Sequence, residues 1–309
     1  MPRWSHRLFL LAAIAACGIS PISRDIQGGD HTVLGKRPSY GPATVSTVLN
    51  LAAIDSLLWV PGLDEGWNPQ GLAIVEGSLL VSVYQSNRFG VNRGPCRVFR
   101  VDPGTGRETG HFDVPPPCGH AGGLAYAGGS RLYITDTHTL FEADLRSAFT
   151  DPALAFRTFR LGPGLRGALA ASGRGEIWIG TYEENQPGRI LRFDRGVLDG
   201  LPDGAVLSEG LASAAAIIPS YTQGAAVTTS GTLWVSRSEI GWGALEELDI
   251  GSGRVGRRYP VPGGIEGISF DSDGGIWAVS EAGARHNRWI SPFFPVIFRL
   301  DINRLALVH

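Results

Sequence analysis

Two sets of polar residues recur at matching places in this chain, and they are the residues best placed to do chemistry. Gln70, His120, Arg166, Gln223 and Glu266 each stand just ahead of a short Gly-led apolar run. Tyr84, Asp136, His138, Tyr182, Glu183, Arg237, Glu239, Glu281 and His286 each follow a second apolar run. A mixture of acids, amides, imidazoles and phenols on one surface suits a small polar molecule or a sugar. Glu266 or Glu281, with His120, His138 or His286 nearby, could also move protons as general acid or base. The alternative is a merely hydrated polar rim, since a fold does not by itself imply a function.

Other motif matches fall away on context. Gly162-Pro163-Gly164-Leu165-Arg166-Gly167 satisfies G-x-G-x-x-G but leads into a strand pattern, so no helix N-terminus follows to hold a phosphate. Asp271-Ser272-Asp273-Gly274 imitates the start of a calcium loop without the terminal Glu. Neither H-E-x-x-H nor G-x-S-x-G occurs.

The two sets are positioned by a repeat. Three signatures recur five times in the same order. The first is the Gly-led run, as in Gly71-Leu72-Ala73-Ile74 and Gly267-Ile268-Ser269-Phe270. The second is an apolar run after a turn, as in Ile177-Trp178-Ile179 and Leu233-Trp234-Val235. The third ends in Asp, as in Phe99-Arg100-Val101-Asp102 and Phe298-Arg299-Leu300-Asp301. With a return strand, each unit holds four strands. Alternation of period two without helical periodicity then predicts an all-β chain: a β-propeller of five four-stranded blades. Tryptophans 178, 234 and 277 share one strand slot and read as blade core.

The fifth unit lacks a clear return strand, while residues 56–61 resemble the return strands of the others. They are expected to close the ring and remove its free edges, with Leu305–Val308 as the rival closing strand. In a propeller the first strands line a central channel, and both polar sets fall on one mouth of it.

Residues 1–17 read as a signal peptide: Arg3 and Arg7, then nine apolar residues, too few to span a bilayer. Ile14-Ala15-Ala16-Cys17 resembles a lipobox with Cys17 as the lipidated residue, against ordinary cleavage after Ala13-Ile14-Ala15. Residues 18–55 read as a flexible tether and 56–309 as the propeller domain. The expectation is an exported, cell-envelope or secreted monomer that meets a membrane only through its lipid. Cys96 and Cys118 then pair most simply as a disulfide stapling the outer edge of the first blade, against two buried free thiols. The 27 basic and 29 acidic residues nearly balance, which leaves no footprint for nucleic acid.

Across about residues 56–301 these blade motifs resemble the broad group of SMP-30/gluconolactonase, NHL-repeat and streptogramin-lyase-like propellers. That resemblance implies a divalent metal held in the channel by one Glu, two Asn and an Asp. The corresponding rim here offers Gln70, Gln223 and Glu266, and no Asn-Gly leads into a first strand, so a divalent metal stays possible without a ligand set to name. Tyr221-Thr222-Gln223-Gly224 resembles the Thr-Gln-Gly entry of plant-type glutaminyl cyclotransferases, which implies five blades. The acid which that family carries at the end of its first B strand is replaced here by Tyr84 and Gln85. The leading expectation is a propeller binding a small molecule, glycan or protein at its rim. The alternative is a channel-site lactonase, lyase or cyclotransferase.

Overall fold

The structure is a computed structural model that describes residues 26–27, 31–86, 94–151, 155–173 and 175–307. The expected signal peptide and Cys17 lie outside the described residues. Blade one is β2 (Trp67–Val75), β3 (Ser78–Gln85), β4 (Cys96–Val101) and β5 (Glu108–Val114), preceded by β1 (Ile54–Trp59). Blade two is β6 (Gly123–Gly128), β7 (Arg131–Asp136), β8 (Thr139–Asp144) and β9 (Phe156–Leu161). Blade three is β10 (Leu169–Gly173), β11 (Glu176–Gly180) and β12 (Gly188–Asp194). After β13 (Val206–Leu207), which pairs in parallel with β9, it ends in β14 (Ala214–Ile218). Blade four is β15 (Thr222–Val227), β16 (Leu233–Glu239), β17 (Trp242–Leu248) and β18 (Val255–Val261). Blade five is β19 (Ile265–Phe270), β20 (Ile276–Ser280), β21 (Val296–Leu300) and, as its outer strand, β1.

Ring closure thus runs through the N-terminal strand, with Leu57 opposite Phe298 and Trp59 opposite Val296. The rival does not form: a 3-10 turn spans Ile302–Arg304, and Ala306 N donates to Asn50 Oδ1 instead of joining a ladder. The five innermost strands pack in ring order around the axis: β2, β6, β10, β15, β19 and β2 again. That crowding explains the recurring Gly. A Cβ on Gly71 would lie 2.8 Å from Leu124 N, and one on Gly224 would lie 2.6 Å from Glu266 O. Only a residue without a side chain lets the neighbouring backbones approach so closely.

The tryptophans at positions 178, 234 and 277 are buried between blades, and Trp234 stacks on Tyr259 at 5.8 Å. Burial of each large ring contributes on the order of 2–3 kcal/mol. The segment expected as a tether is different over its described part. Ile26, Val33, Val45 and Val48 are buried in the core of blade five, and Leu34 bridges Leu58 of β1 in parallel. Its apolar residues are too widely spaced to register as an element, yet each fills a separate gap on the propeller. No helix among the described residues is long and apolar enough to cross a membrane.

Candidate functional site

The connections after the second strand of each blade and before the next first strand share one mouth of the channel. Backbone ties fix these entries. Ser82 Oγ accepts from Gly71 N at 2.8 Å and donates to Ala121 O at 2.7 Å, joining blade one to blade two. Ser236 Oγ donates to Glu266 O at 2.5 Å, joining blade four to blade five. Hydroxyls at the ends of second strands therefore set where Glu266 and the 119–121 segment stand.

Two glutamates converge there. Glu266, on β19, is 3% exposed, and its carboxyl has no hydrogen-bond partner among the described residues. Glu281 follows β20 and is half-buried at the mouth. Gln70 Nε2 at 3.0 Å and Asn287 Nδ2 at 2.5 Å both donate to Glu281 Oε2. The second carboxyl oxygen of Glu281 is left for a proton or a ligand. No Lys or Arg among the described residues forms an ion pair with either carboxyl, whereas the buried Glu142 has one and the buried Glu246 two.

Burial, then the neighbouring Glu281 charge, pushes the Glu266 carboxyl well above the carboxylate range. Burial also pushes Glu281 up to about 7, with the Gln70 and Asn287 hydrogen bonds acting the other way. The pair therefore holds its protons to higher pH than an ordinary carboxyl does. Glu266 is the member favoured as the acid, able to donate, and Glu281, at about 7, stands between acid and base.

Aromatic and imidazole groups wall the pair. Tyr84 is fully buried, with its hydroxyl unpartnered. Its phenol is held neutral first by burial, then by the charges of Glu281 and Glu266. His120 lies edge-on to Tyr84, with ring centroids 5.4 Å apart, and the His286 ring approaches Tyr84 at 6.4 Å. Burial holds the His120 imidazole below its ordinary range, against the opposing Asp136 charge, so it is neutral at physiological pH. Tyr182 faces the pair from blade three. Burial, Glu184 and then Glu266 keep its phenol neutral, and its hydroxyl donates to Glu184 Oε1 at 3.4 Å.

The structure thus brings together Gln70, Tyr84, His120, Tyr182, Glu266, Glu281 and His286 from the rim residues named by sequence. It places others elsewhere. His138 is exposed on the turn between β7 and β8, and Arg166 is exposed. Gln223 is half-buried on β15, and Glu183 receives the Tyr221 N–H on its backbone oxygen. Arg237 is engaged by Glu246 at 2.6 Å and by Ser220 O, and lies over the Trp242 ring. Glu239 accepts from Trp242 Nε1. Asp136 holds backbone: its Oδ1 accepts from Gly119, His120 and Ala121 N–H groups at 3.1, 2.7 and 3.1 Å.

Sequence reasoning missed Asn287 and Asn68. Asn68 is fully buried on β2 and accepts from His286 N at 3.3 Å, which ties the 281–287 loop across the ring seam. The Asn68-Pro69-Gln70-Gly71 string, with Pro inside a first strand, was the available signal. Pro69 sits where the β2 register shifts, a place where a missing N–H is tolerated.

The disulfide forms between Cys96 and Cys118, Cα atoms 5.9 Å apart, but not at the outer edge of its blade. Both residues are buried, and Cys118 Sγ lies 3.7 Å from Asp136 Oδ1 of blade two. The bridge staples the mouth end of the blade-one to blade-two seam.

Among the described residues neither candidate ligand set makes a complete calcium site. Cys96, Cys118 and Asp136 offer atoms within 4.8 Å of one another, but the sulfurs are bonded to each other and Asp136 Oδ1 is spent on three N–H groups. At the channel pair, Gln70 and Asn287 turn donors rather than oxygens toward Glu281, short of the six or more oxygens calcium takes.

No protein-family model and no curated protein matches the chain. Among solved structures it is similar to a glutaminyl cyclase from Myxococcus xanthus at 13% identity and TM-score 0.55, over 83% of this chain and 97% of that one. It is also matched to regucalcin, a calcium-binding protein from Agrobacterium tumefaciens, at 20% identity and TM-score 0.44, over 81% and 94%. The chain is a five-bladed β-propeller with the fold of that glutaminyl cyclase.

Proposed function

We propose that this chain is an exported propeller enzyme that binds a small polar molecule at the channel mouth and acts on it by acid–base catalysis. One observation carries the reading: the buried Glu266 and the half-buried Glu281 stand together without a cationic partner among the described residues, and burial raises both carboxyls, Glu281 to about 7. The structural Glu246 also has an oxygen without a partner, but two guanidiniums meet its other oxygen. The channel pair has no such cation among the described residues, and a buried acid cluster of that kind suits a site that takes a ligand. A neutral carboxylic acid beside a carboxyl near its own pKa can donate to a carbonyl or leaving group and take a proton from an amine. The substrate class this favours bears both an amine and a carbonyl, and the likeness to a glutaminyl cyclase supports the same class. Tyr84 and Tyr182 supply the walls, and Gln70 and Asn287 orient Glu281.

The test is turnover of N-terminal glutaminyl peptides, read as ammonia release, beside a panel of lactones. Wild type is expected to turn over an amine-bearing substrate, with Glu281→Gln about 100-fold slower or worse. Equal rates for wild type and Glu281→Gln would contradict the reading. A second reading, a binding propeller without turnover, is favoured by the unpartnered Glu266, whose protonated carboxyl suits a ligand carbonyl that accepts its proton in a hydrogen bond. Calorimetry with the same peptides separates the two, and the metal content of the purified protein checks whether a divalent cation accompanies either.

The same proposal takes the protein to be a monomer that binds its small molecule outside the cytoplasm without nucleic acid, held by a lipid on Cys17 or simply secreted. A buried disulfide supports an oxidising compartment. Membrane fractionation of wild type and Cys17→Ser measures the lipid arm.

A further inference from the structure

The mouth of the first blade seam has a second layer behind the glutamate pair. Cys96 is the cross-strand partner of Tyr84 in the β3–β4 ladder. Cys118 lies two residues before His120, whose ring meets the Tyr84 ring at 5.4 Å. The disulfide therefore ties together the backbones that carry the two rings. Between them, Asp136 of blade two collects the N–H groups of Gly119, His120 and Ala121 on one oxygen. Ala121 takes a left-handed φ of 53°, which turns successive N–H groups toward that carboxylate. Gly94, beside Cys96, donates its N–H to Gly119 O at 2.9 Å and closes the layer. Such a layer fixes a side chain's position within a fraction of an ångström, which a loop alone does not.

We propose that the Cys96–Cys118 bridge and the Asp136 carboxylate together are the positioning device of the channel site, holding His120 edge-on against Tyr84. This rests on the acid–base reading of Glu266 and Glu281, because Tyr84, which the clamp holds against His120, is also the phenol on which the charges of the pair act. Opening the bridge removes the one covalent tie of the 115–122 connection and leaves it to hydrogen bonds: those to Asp136, the Gly94 N–H on Gly119 O and the Ser82 hydroxyl on Ala121 O. The His120 ring then leaves Tyr84 while the five blades keep their ladders. The step is a thiol–disulfide exchange with an added dithiol. Two successive attacks break the Cys96–Cys118 S–S bond, and two electrons and two protons pass to the cysteines as thiols. The dithiol leaves as its own cyclic disulfide.

The experiment follows the full chain by NMR before and after dithiothreitol, with thiols counted by mass. Oxidised protein is expected to show a nuclear Overhauser effect between the His120 and Tyr84 rings and a His120 midpoint below its ordinary value. Reduced protein is expected to show no such effect and an upward-shifted midpoint as the ring reaches water, with an unchanged far-UV spectrum. Asp136 and Tyr84 are the groups that face the ring, so Asp136→Asn, which keeps the accepting oxygen, is expected to retain the effect. Asp136→Ala is expected to abolish it. Should Asp136→Ala fail to fold, the reduced wild type and Cys96→Ser/Cys118→Ser still decide. Persistence of the ring-to-ring effect after both cysteines are shown to be thiols would overturn the clamp. Glu281 titrating in the ordinary carboxylate range, while reduction still parts the two rings, would sink the acid–base reading and leave the clamp standing.

Discussion

Two buried carboxyl sites sit in neighbouring blades and have opposite electrostatics. On β17 of blade four, Glu246 is 1% exposed and is met by Arg237 at 2.6 Å and Arg258 at 3.3 Å. At the channel mouth, Glu266 is nearly as deeply withdrawn and, among the described residues, meets no cation but feels the charge of a second carboxyl. A buried charge is tolerated when it is paired and hydrogen-bonded, and otherwise it takes up a proton. Blade four follows the first course, and the two guanidiniums also cover the Trp242 ring. The channel follows the second, so its acids stay protonated into the neutral range. The difference separates a carboxylate that holds the fold from a pair kept available for chemistry.

The largest expected effect is on turnover. Glu281→Gln keeps volume and a hydrogen-bonding amide yet removes the titrating group, and a loss of about 100- to 10,000-fold in kcat/KM is expected from steady-state kinetics. Next comes the opposite site. Arg237→Ala leaves Glu246 with Arg258 alone, and denaturant unfolding is expected to show a loss of about 3–5 kcal/mol. If Arg237→Ala proved neutral while Glu281→Gln was strongly destabilising, the comparison would be inverted.

A pH series sharpens it further. Glu281 binds its proton more tightly when folded, so the folded state carries the extra proton between about pH 4.5 and 7. Stability from this group is full below that window and falls as pH rises through it, by on the order of 3 kcal/mol. His120 acts in the other direction, since its folded value is depressed and its neutral form gains as pH rises toward its ordinary value. The difference between wild type and Glu281→Gln isolates the Glu281 part, and the variant is expected to be the more stable above pH 7. The smallest effect belongs to Glu239, exposed against Trp242: Glu239→Ala is expected to shift stability by less than about 0.5 kcal/mol.

The fold was legible because it is repetitive. Four of the five Gly-led runs report close approaches between innermost strands, Gly167 meeting the end of β7 instead, and the resemblance of residues 56–61 to a return strand marks the closing β1. The candidate site was legible only in part. Gln70, Glu266 and Glu281 could be placed at the mouth by register, since each borders a repeating strand. Their partners come from irregular connections, where no period predicts direction: Asn287 lies inside a long loop after β20, and Asn68 sits at a bulge. Arg237 and Asp136 stood in the right register but turn to the blade wall and to backbone N–H groups. Charge alone could not tell these from ligand-facing residues. The packing of Ile26, Val33, Val45 and Val48 onto the propeller was not legible for a related reason, because isolated Ile and Val residues filling separate gaps leave no periodic trace.

Glu266 and Glu281 retain protons that an ordinary surface carboxyl would lose. Carbon-13 labelled glutamate, with Glu281→Gln and Glu266→Gln to assign the carboxyl signals, follows both through a pH titration of the full chain. A Glu281 midpoint near 7, and a Glu266 signal still protonated when the surface glutamates have ionised, is the predicted result. Both signals moving with the surface glutamates below pH 5 would contradict it.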